Sequence, residues 1–212
     1  SIEGFKYTFG LGIKAIEFDV LISKDNTPVL FHDYTLNVNM VKDSSGNWID
    51  NSDLKINNLT YDEISKYNIE SLKPGSGYAD RFKNQKSAKG AKIPKLIDLF
   101  ELATEEQNKD VFLNLEVKSN PTLKGVTPEP KDMVESILKD IKKYNLEDRI
   151  VVTSFDWRIL YELKKQNSSV LRGFLTLQQN LGSTKKNIYE NSPWMEKQFS
   201  LEDLFLLPNI IK

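Results

Sequence analysis

The chain has 212 residues, of which 39% are hydrophobic and 28% are charged, and this composition indicates one large folded α/β domain. Its formal net charge of −1, from 29 basic and 30 acidic side chains, argues against a nucleic-acid or anionic-membrane surface. The absence of cysteine excludes disulfides, thiolate metal sites and a cysteine nucleophile. No apolar run approaches the roughly 18 residues of a membrane span, and the first residues match neither a signal nor a transit peptide. A periplasmic or secreted location and a cytoplasmic one both stay open.

Hydrophobic periodicity and turn signals predict alternating strands and helices. A capping box of Thr60 and Glu63 starts a short helix. Residues 34–58 are polar and predict a long loop, and residues 71–92 predict an excursion with little core. The predicted elements are a helix at 2–12, strands at 15–23 and 28–32, helices at 59–67 and 93–106, a strand at 110–118, a helix at 131–146, a strand at 149–156, a helix at 157–167 and a strand at 170–176.

The second half of the chain alternates strand and helix at the lengths typical of parallel sheets. This alternation predicts an α/β fold with a parallel sheet. It does not separate a closed barrel from a doubly wound sheet.

Two acidic residues share one face of the first predicted strand. Glu17 and Asp19 are two positions apart, so their Cα atoms lie roughly 6.6 Å apart on the same side. Two acids on an otherwise apolar strand repel each other and lose hydration, and a divalent cation or a basic partner resolves both problems. Hard cations such as Mg²⁺ and Ca²⁺ prefer carboxylate oxygens. The alternative is an exposed strand face with two solvated acids.

A later strand repeats this pattern, and the second predicted strand ends in the sole histidine. Glu116 and Lys118 share one face at a strand's C-terminal end, where parallel α/β folds build their sites, although a simple ion pair is the alternative. His32 ends an apolar strand and is followed by Asp33, which could orient it. A histidine of near-neutral pKa can donate a proton to a leaving oxygen, whereas a lone histidine is more often structural or merely exposed.

The strand at 149–156 ends in polar and aromatic residues. Phe155 and Trp157 either wall a pocket or simply pack, and packing is the default for such side chains. Ser154 lacks the surroundings of a nucleophile elbow, so a serine hydrolase is not predicted.

Together these segments resemble the glycerophosphodiester phosphodiesterase family. The stretch GIKAIEFDVLISKDNTPVLFHDYTL is similar to that family's succession of Glu-x-Asp, Thr/Ser-Lys-Asp and Val-x-x-His-Asp. IPKLIDLFEL resembles its Ile-Pro-Thr-Leu-x-Glu helix start, LNLEVK its Glu-x-Lys strand and VVTSFDW its Ser-Phe strand. The order and spacing agree, and the similarity spans most of residues 1–177.

The resemblance implies a TIM (β/α)8 barrel with an inserted segment at about 34–92. It implies a divalent metal, Mg²⁺ or Ca²⁺, bound by the three acids named above, and His32 as one of two catalytic histidines. Lys118 would offset phosphate charge. If Phe155 and Trp157 wall a pocket rather than pack, they would contact the substrate. The implied reaction is hydrolysis of a small glycerophosphodiester to glycerol 3-phosphate and an alcohol, with no nucleic-acid partner. The three implied metal ligands are Glu17, Asp19 and Glu116.

The chain also departs from the family pattern. The family's first strand ends in His-Arg-Gly and is followed by Pro-Glu-Asn-Thr/Ser, but neither motif is present, and Ser1 resembles the last residue of the second. The late Trp-Thr-x-Asn strand has no clear match, although residues 209–212 could begin a seventh strand. We therefore expect residues 1–212 to form one incomplete barrel domain without the first and last strands. Because one histidine cannot supply a two-histidine mechanism, we expect this chain alone to be inactive.

Three interpretations remain open from the sequence. The chain is the middle of a complete phosphodiesterase, or it is a natural non-catalytic remnant that serves binding or assembly. The third is another metal-dependent phosphodiesterase on the same barrel, similar to a phospholipase D. The IPKL and SFDW blocks favour the glycerophosphodiester family over this third alternative.

Overall fold

The computed structural model describes residues 1–167, 169–177, 187–189 and 191–195, and within them five strands form one sheet. Three single turns of 3-10 helix connect some of the elements. The elements in chain order are α1 (Ile2–Gly10), β1 (Ala15–Ile22), β2 (Pro28–Leu30), α2 (Tyr61–Ile64), α3 (Gly77–Arg81), α4 (Leu96–Thr104), β3 (Phe112–Val117), α5 (Pro130–Lys143), β4 (Ile150–Ser154), α6 (Trp157–Gln166) and β5 (Leu171–Phe174).

The sheet has the strand order β2-β1-β3-β4-β5. Strands β1, β3, β4 and β5 are parallel neighbours, which confirms the predicted parallel sheet. Strand β2 pairs antiparallel with the end of β1, and Asn26 in the connecting turn has a positive φ of 59°, a conformation that asparagine tolerates well. The C-terminal ends of β1 and β3 consequently lie side by side.

Helices cover one face of the sheet, which we call the helix-covered face. Phe18, Leu115 and Val152 point to this side and are almost fully buried in one large core with the apolar stripes of α4, α5 and α6. Burial of this kind is the main favourable contribution to folding. The opposite face, which we call the open face, carries the alternate residues of each strand, and Glu17 and Asp19 lie on it. At the end of β1, Leu21 on this face is buried in a second core.

The segment between β2 and α4 builds a second, smaller core. Its backbone is largely irregular, as predicted for 34–58, but apolar side chains from Leu36 to Ile64 are buried against Leu21, Val29 and Phe31 of the hairpin. This core is not predictable from periodicity, because its apolar residues follow no regular period. Residues 71–92 contribute few buried side chains, as predicted.

Three helices differ from the prediction in this part of the chain. Helix α3, inside the predicted excursion, was missed, and the hydroxyl of Ser76 caps it by accepting a hydrogen bond from the Ala79 N–H. Helix α4 begins at Leu96 rather than at residue 93, because its first turn is closed by the Lys95 N–H donating to Asp98 at 2.8 Å. The predicted Thr60–Glu63 capping box is present at α2, but this helix ends at Ile64 rather than at residue 67.

Two sequence-based expectations lie beyond what the structure tests. The seventh strand predicted from residues 209–212 falls outside the described residues. That residues 1–212 form a single domain also stays a prediction. Within the described part of the chain, no helix has both the length and the apolar character needed to cross a membrane.

A glycine in β5 leaves room for a threonine side chain of β4 on the open face. Gly173 lies opposite Thr153, and a Cβ atom added to it would be 2.5 Å from Thr153 Cγ2. Thr153 is itself buried, and its hydroxyl donates to Asn114 Oδ1 at 2.9 Å across β3. Any larger residue at position 173 therefore pushes on a side chain that is held by a neighbouring strand.

We expect Gly173→Ala to destabilise the fold by about 1–3 kcal/mol, the usual cost of overpacking a rigid site. The double variant Gly173→Ala, Thr153→Ser removes the clashing methyl group and keeps the hydroxyl, so it should recover most of that loss. Chemical unfolding of the parent, both single variants and the double variant measures this coupling. If the two changes in the free energy of unfolding are simply additive, then contact with Thr153 is not what excludes a larger side chain at position 173.

Candidate active site

Three carboxylates meet at the C-terminal ends of β1 and β3. Glu17 and Asp19 lie on the open face of β1, and Asp19 is in register with Glu116 of β3. One oxygen of each residue lies within 4.8 Å of those of the other two. Mg²⁺ and Ca²⁺ bind carboxylate oxygens at about 2.0–2.6 Å, so oxygens at this spacing can share one ion. The donor set therefore fits a divalent metal.

Lys118, a candidate site residue from the sequence, lies against this group of acids. Its ammonium Nζ lies 3.0 Å from Glu116 Oε1 and 3.7 Å from Asp19 Oδ1, and all three side chains are at most 20% exposed. One ammonium against three carboxylates leaves a formal charge of −2 on the group. Partial burial, followed by the charges of Asp19 and Glu116, raises the pKa of Glu17 above its usual value. Bringing a cation to this position relieves both effects.

His32 follows β2 and is held by its neighbour. Its Nδ1 lies 2.7 Å from Asp33 Oδ1, and the other oxygen of Asp33 accepts a hydrogen bond from Asn37 at 2.7 Å. The hydrogen bond to Asp33 is the largest influence on His32 and raises its pKa, while the same bond lowers the pKa of Asp33. The imidazole is 64% exposed, so Asp33 fixes the ring through Nδ1 and leaves Nε2 accessible from solvent.

A cleft of about 360 Å³ joins the histidine to the acids, and we call it the edge cleft. His32, Glu17 and Asp19 line it together with apolar side chains from α1, β2 and α3. The structure thus brings His32 and the three acids of the sequence analysis to one end of the sheet, as the strand order requires.

The two aromatic residues predicted to contact substrate differ in their surroundings. Trp157 is fully buried in the large core, with its ring edge-on to Phe174 at 5.1 Å and its Nε1 donating to the Leu175 carbonyl. This placement corrects the expectation for Trp157, because a completely buried indole cannot reach a ligand. Phe155 is half-buried, and a substrate contact there stays a prediction.

Sequence reasoning missed a buried acid that supports the site. Asp156 is fully buried, accepts from Ser119 Oγ at 2.7 Å and is bonded by the Arg158 guanidinium at 2.7 and 2.9 Å. The Ser119 carbonyl also accepts from the hydroxyl of Tyr34 at 3.0 Å, and burial raises the pKa of Tyr34. The residue directly after Lys118 is therefore fixed from both sides. The Asp156-x-Arg158 spacing at a helix start was the available signal.

Comparison with known proteins agrees with this geometry. The sequence profile of the glycerophosphoryl diester phosphodiesterase family matches residues 1–198. A glycerophosphodiester phosphodiesterase of Caldanaerobacter subterraneus subsp. tengcongensis is 30% identical over 175 residues, covering 82% of this chain and 60% of the relative. A crystal structure from Silicibacter pomeroyi DSS-3, described as a glycerophosphoryl diester phosphodiesterase, is 31% identical with a TM-score of 0.76, covering 82% of this chain and 58% of that one.

More distant structures share the fold alone. A phosphodiesterase of Oleispira antarctica, solved in complex with the product sn-glycerol-3-phosphate, has 22% identity and a TM-score of 0.54, covering 78% of this chain and 56% of its own. The chain spans about 60% of the length of the relative from Caldanaerobacter. Its parallel strands and helices form part of a TIM barrel, which confirms the predicted fold class. The chain belongs to the glycerophosphoryl diester phosphodiesterase family.

Proposed function

We propose that the protein hydrolyses glycerophosphodiesters to glycerol 3-phosphate and an alcohol in a metal-dependent reaction. The observation that carries this proposal is the group of three carboxylate oxygens within 4.8 Å of one another at the ends of β1 and β3. Family membership supplies the reaction class, and the named relatives carry the same activity in their descriptions. The product held by the Oleispira antarctica relative fits a small-molecule substrate of this kind.

The metal site is proposed to hold Mg²⁺ or Ca²⁺ between Glu17, Asp19 and Glu116. When bound, such an ion supplies positive charge to phosphate oxygens and favours a charged nucleophile. The residues themselves set where that charge lies, since Asp19 and Glu116 are fixed by the register of two paired strands. Glu17 is the most exposed of the three and faces the edge cleft.

Lys118 is proposed to stabilise negative charge on the phosphate as the reaction proceeds. Its ammonium already lies against Glu116 and Asp19, so it is held at the edge of the metal site. Preorganised cations that face developing charge are among the largest contributions to catalysis. The hydrogen bond from Ser119 to the buried Asp156 keeps the following backbone in place and thereby limits where the Lys118 side chain can reach.

His32 is proposed to donate a proton to the departing oxygen of the alcohol. The bond to Asp33 orients the ring and raises its pKa, so a larger share of the ring is protonated near neutral pH. A group with a raised pKa loses its proton as pH rises through that value, so proton donation by His32 should decline on the alkaline side. Its exposure leaves room for a leaving alcohol.

One observation favours a second candidate, a non-catalytic role in binding or assembly. The sequence contains a single histidine, whereas the implied family mechanism uses two. The two candidates differ in a measurable way. If the protein is catalytic, its site residues should support hydrolysis once a second histidine is supplied. If its role is binding or assembly, they should give no hydrolysis even then.

A chimera tests the proposal. The aligned segment of this chain replaces the corresponding 175 residues of the Caldanaerobacter relative, which provides the rest of the barrel. We expect it to release glycerol 3-phosphate from glycerophosphocholine with Mg²⁺ or Ca²⁺ and to stop with chelator. Glu116→Gln should reduce the rate by on the order of 100-fold or more, because a lost ligand costs more than a lost supporting partner. The 212-residue chain alone should release little or none.

The control for this experiment is Glu106→Gln, which changes an exposed acid in the turn after α4 and should leave the rate unchanged. Cooperative thermal unfolding establishes that each chimera is folded. A folded chimera without activity would favour the binding or assembly role, and a rate that ignores both chelator and Glu116→Gln would refute the metal assignment.

A titration of His32 tests its proposed role directly, since it is the only histidine and gives one set of imidazole signals in NMR. In metal-free buffer we expect an apparent pKa above the ordinary 6.5. Asp33→Asn should lower this pKa, because it removes the charged hydrogen-bond partner. The exposed Asp53→Asn serves as the matched control and should not change it. An equal pKa in the parent and in Asp33→Asn would show that Asp33 does not hold the ring.

A further inference from the structure

Five cations are concentrated in one short, exposed part of the chain. Residues 81–92, which we call the basic segment, begin at the last residue of α3 and contain no acidic residue. The segment carries a charge of +5, and because the whole chain carries −1, the other residues together carry −6. A net charge near zero therefore does not exclude an anionic partner for this one surface. The five exposed cations are Arg81, Lys83, Lys86, Lys89 and Lys92.

These cations lack the acidic partners that several other exposed lysines have. Lys66, Lys109 and Lys165 each form an ion pair with an acid three or four residues away along a helix or turn. Within the part of the chain that the structure describes, no cation of the basic segment forms a salt bridge with an acid. Their charges are consequently available to a partner from outside the chain.

The backbone of the basic segment is attached to the rest of the molecule through Glu70. The Ala88 N–H donates to the Glu70 carbonyl at 2.8 Å, and the Gly90 N–H donates to the Glu70 carboxylate at 3.1 Å. That carboxylate is itself paired with Lys42 at 3.0 Å. The backbone is thus held while the cationic side chains stay in water, so binding through them requires little further ordering of the backbone.

An exposed aromatic side chain lies within the same cationic stretch. Phe82 is 44% exposed, its ring stacks on Tyr78 with centroids 6.4 Å apart, and the Arg81 guanidinium lies 5.1 Å from its centre. Aromatic rings beside lysine and arginine are typical of surfaces that bind at the headgroup level of a bilayer. Phe82 also lines the edge cleft together with His32, so the basic segment borders that cleft.

We propose that the basic segment attaches the protein to the surface of an anionic lipid bilayer. Its cations contact lipid phosphates, and Phe82 enters the boundary between headgroups and acyl chains. Clustered lysines and arginines bind such surfaces because an anionic leaflet carries a negative surface potential. The attachment places the edge cleft beside the lipid surface, and it does not rest on the proposed hydrolysis.

The irregular backbone of the basic segment favours a bilayer over a nucleic acid or an acidic protein. After Arg81 the segment forms neither helix nor strand, and its cations recur every two or three residues. Duplex DNA is bound by an element that fits a groove, and an acidic protein surface needs a matching array of charges in fixed positions. A fluid layer of headgroups instead adjusts to cations in any arrangement.

Co-sedimentation of the 212-residue chain with lipid vesicles tests the proposal, at an ionic strength of about 0.1 M, where charges interact over about 10 Å. We expect the chain to sediment with vesicles that contain phosphatidylglycerol as well as phosphatidylcholine, and not with vesicles of phosphatidylcholine alone. The triple variant Lys83→Glu, Lys86→Glu, Lys89→Glu should weaken binding by at least about tenfold, because three attractions become repulsions. Phe82→Ala should also weaken binding, because it removes the ring that enters the boundary.

Matched variants separate the basic segment from the total charge of the chain. Lys131→Glu, Lys139→Glu, Lys142→Glu changes three exposed lysines of α5 and alters the net charge by the same amount. Tyr7→Ala removes an aromatic ring that is 69% exposed on α1. Both should bind like the parent, and cooperative thermal unfolding establishes that each variant is folded.

Three results would overturn the proposal. The first is a parent chain that does not sediment with the anionic vesicles. The second is a loss of affinity in the α5 variant as large as that in the variant of the basic segment. The third is a DNA duplex that binds the parent more tightly than these vesicles do, which would assign the basic segment to nucleic acid instead.

Discussion

The mutual repulsion of three carboxylates is the constraint on which the rest of this site depends. Strand pairing fixes Asp19 opposite Glu116, and the period of a strand puts Glu17 on the same face as Asp19. The backbone therefore forces these charges together, and one ammonium, that of Lys118, offsets only part of them. A divalent cation would offset the remaining negative charge, and this is the physical basis for proposing a metal site at these acids.

The remainder of the fold supplies support for that arrangement. Helices on one face provide the buried core, so the opposite face is free to carry polar chemistry. The segment between β2 and α4 has a core of its own, which anchors the hairpin ending at His32. The buried Asp156 ties the loop after Lys118 to the start of α6 through Ser119 and Arg158. Glu17, Asp19, Glu116, Lys118 and His32 thus each lie next to a well-supported element.

Much of this could be predicted from the sequence, because periodicity reports which face a residue occupies. Glu17 and Asp19 on one strand, and Glu116 and Lys118 on another, are polar positions on otherwise apolar strands. Parallel pairing of the two strands brings these two groups of residues together. The second core was not predictable in the same way, since its apolar residues lie on irregular backbone. The surroundings of Trp157 were not predictable, because an aromatic residue beside a strand end has the same sequence pattern whether it lines a pocket or fills a core. The edge cleft depends on contacts between segments that are far apart in sequence, and local patterns do not encode those contacts.

The most direct test of the metal centre is a crystal structure of this chain soaked in Mn²⁺, with anomalous data collected at the manganese edge. Manganese prefers the same carboxylate oxygens as magnesium and gives a strong anomalous signal. We predict one peak between Glu17, Asp19 and Glu116, within about 2.0–2.4 Å of an oxygen from each, as for ordinary metal–oxygen bonds. A peak elsewhere, or none at this position while Lys118 still bridges Glu116 and Asp19, would show that the ammonium alone balances the acids and would contradict the account.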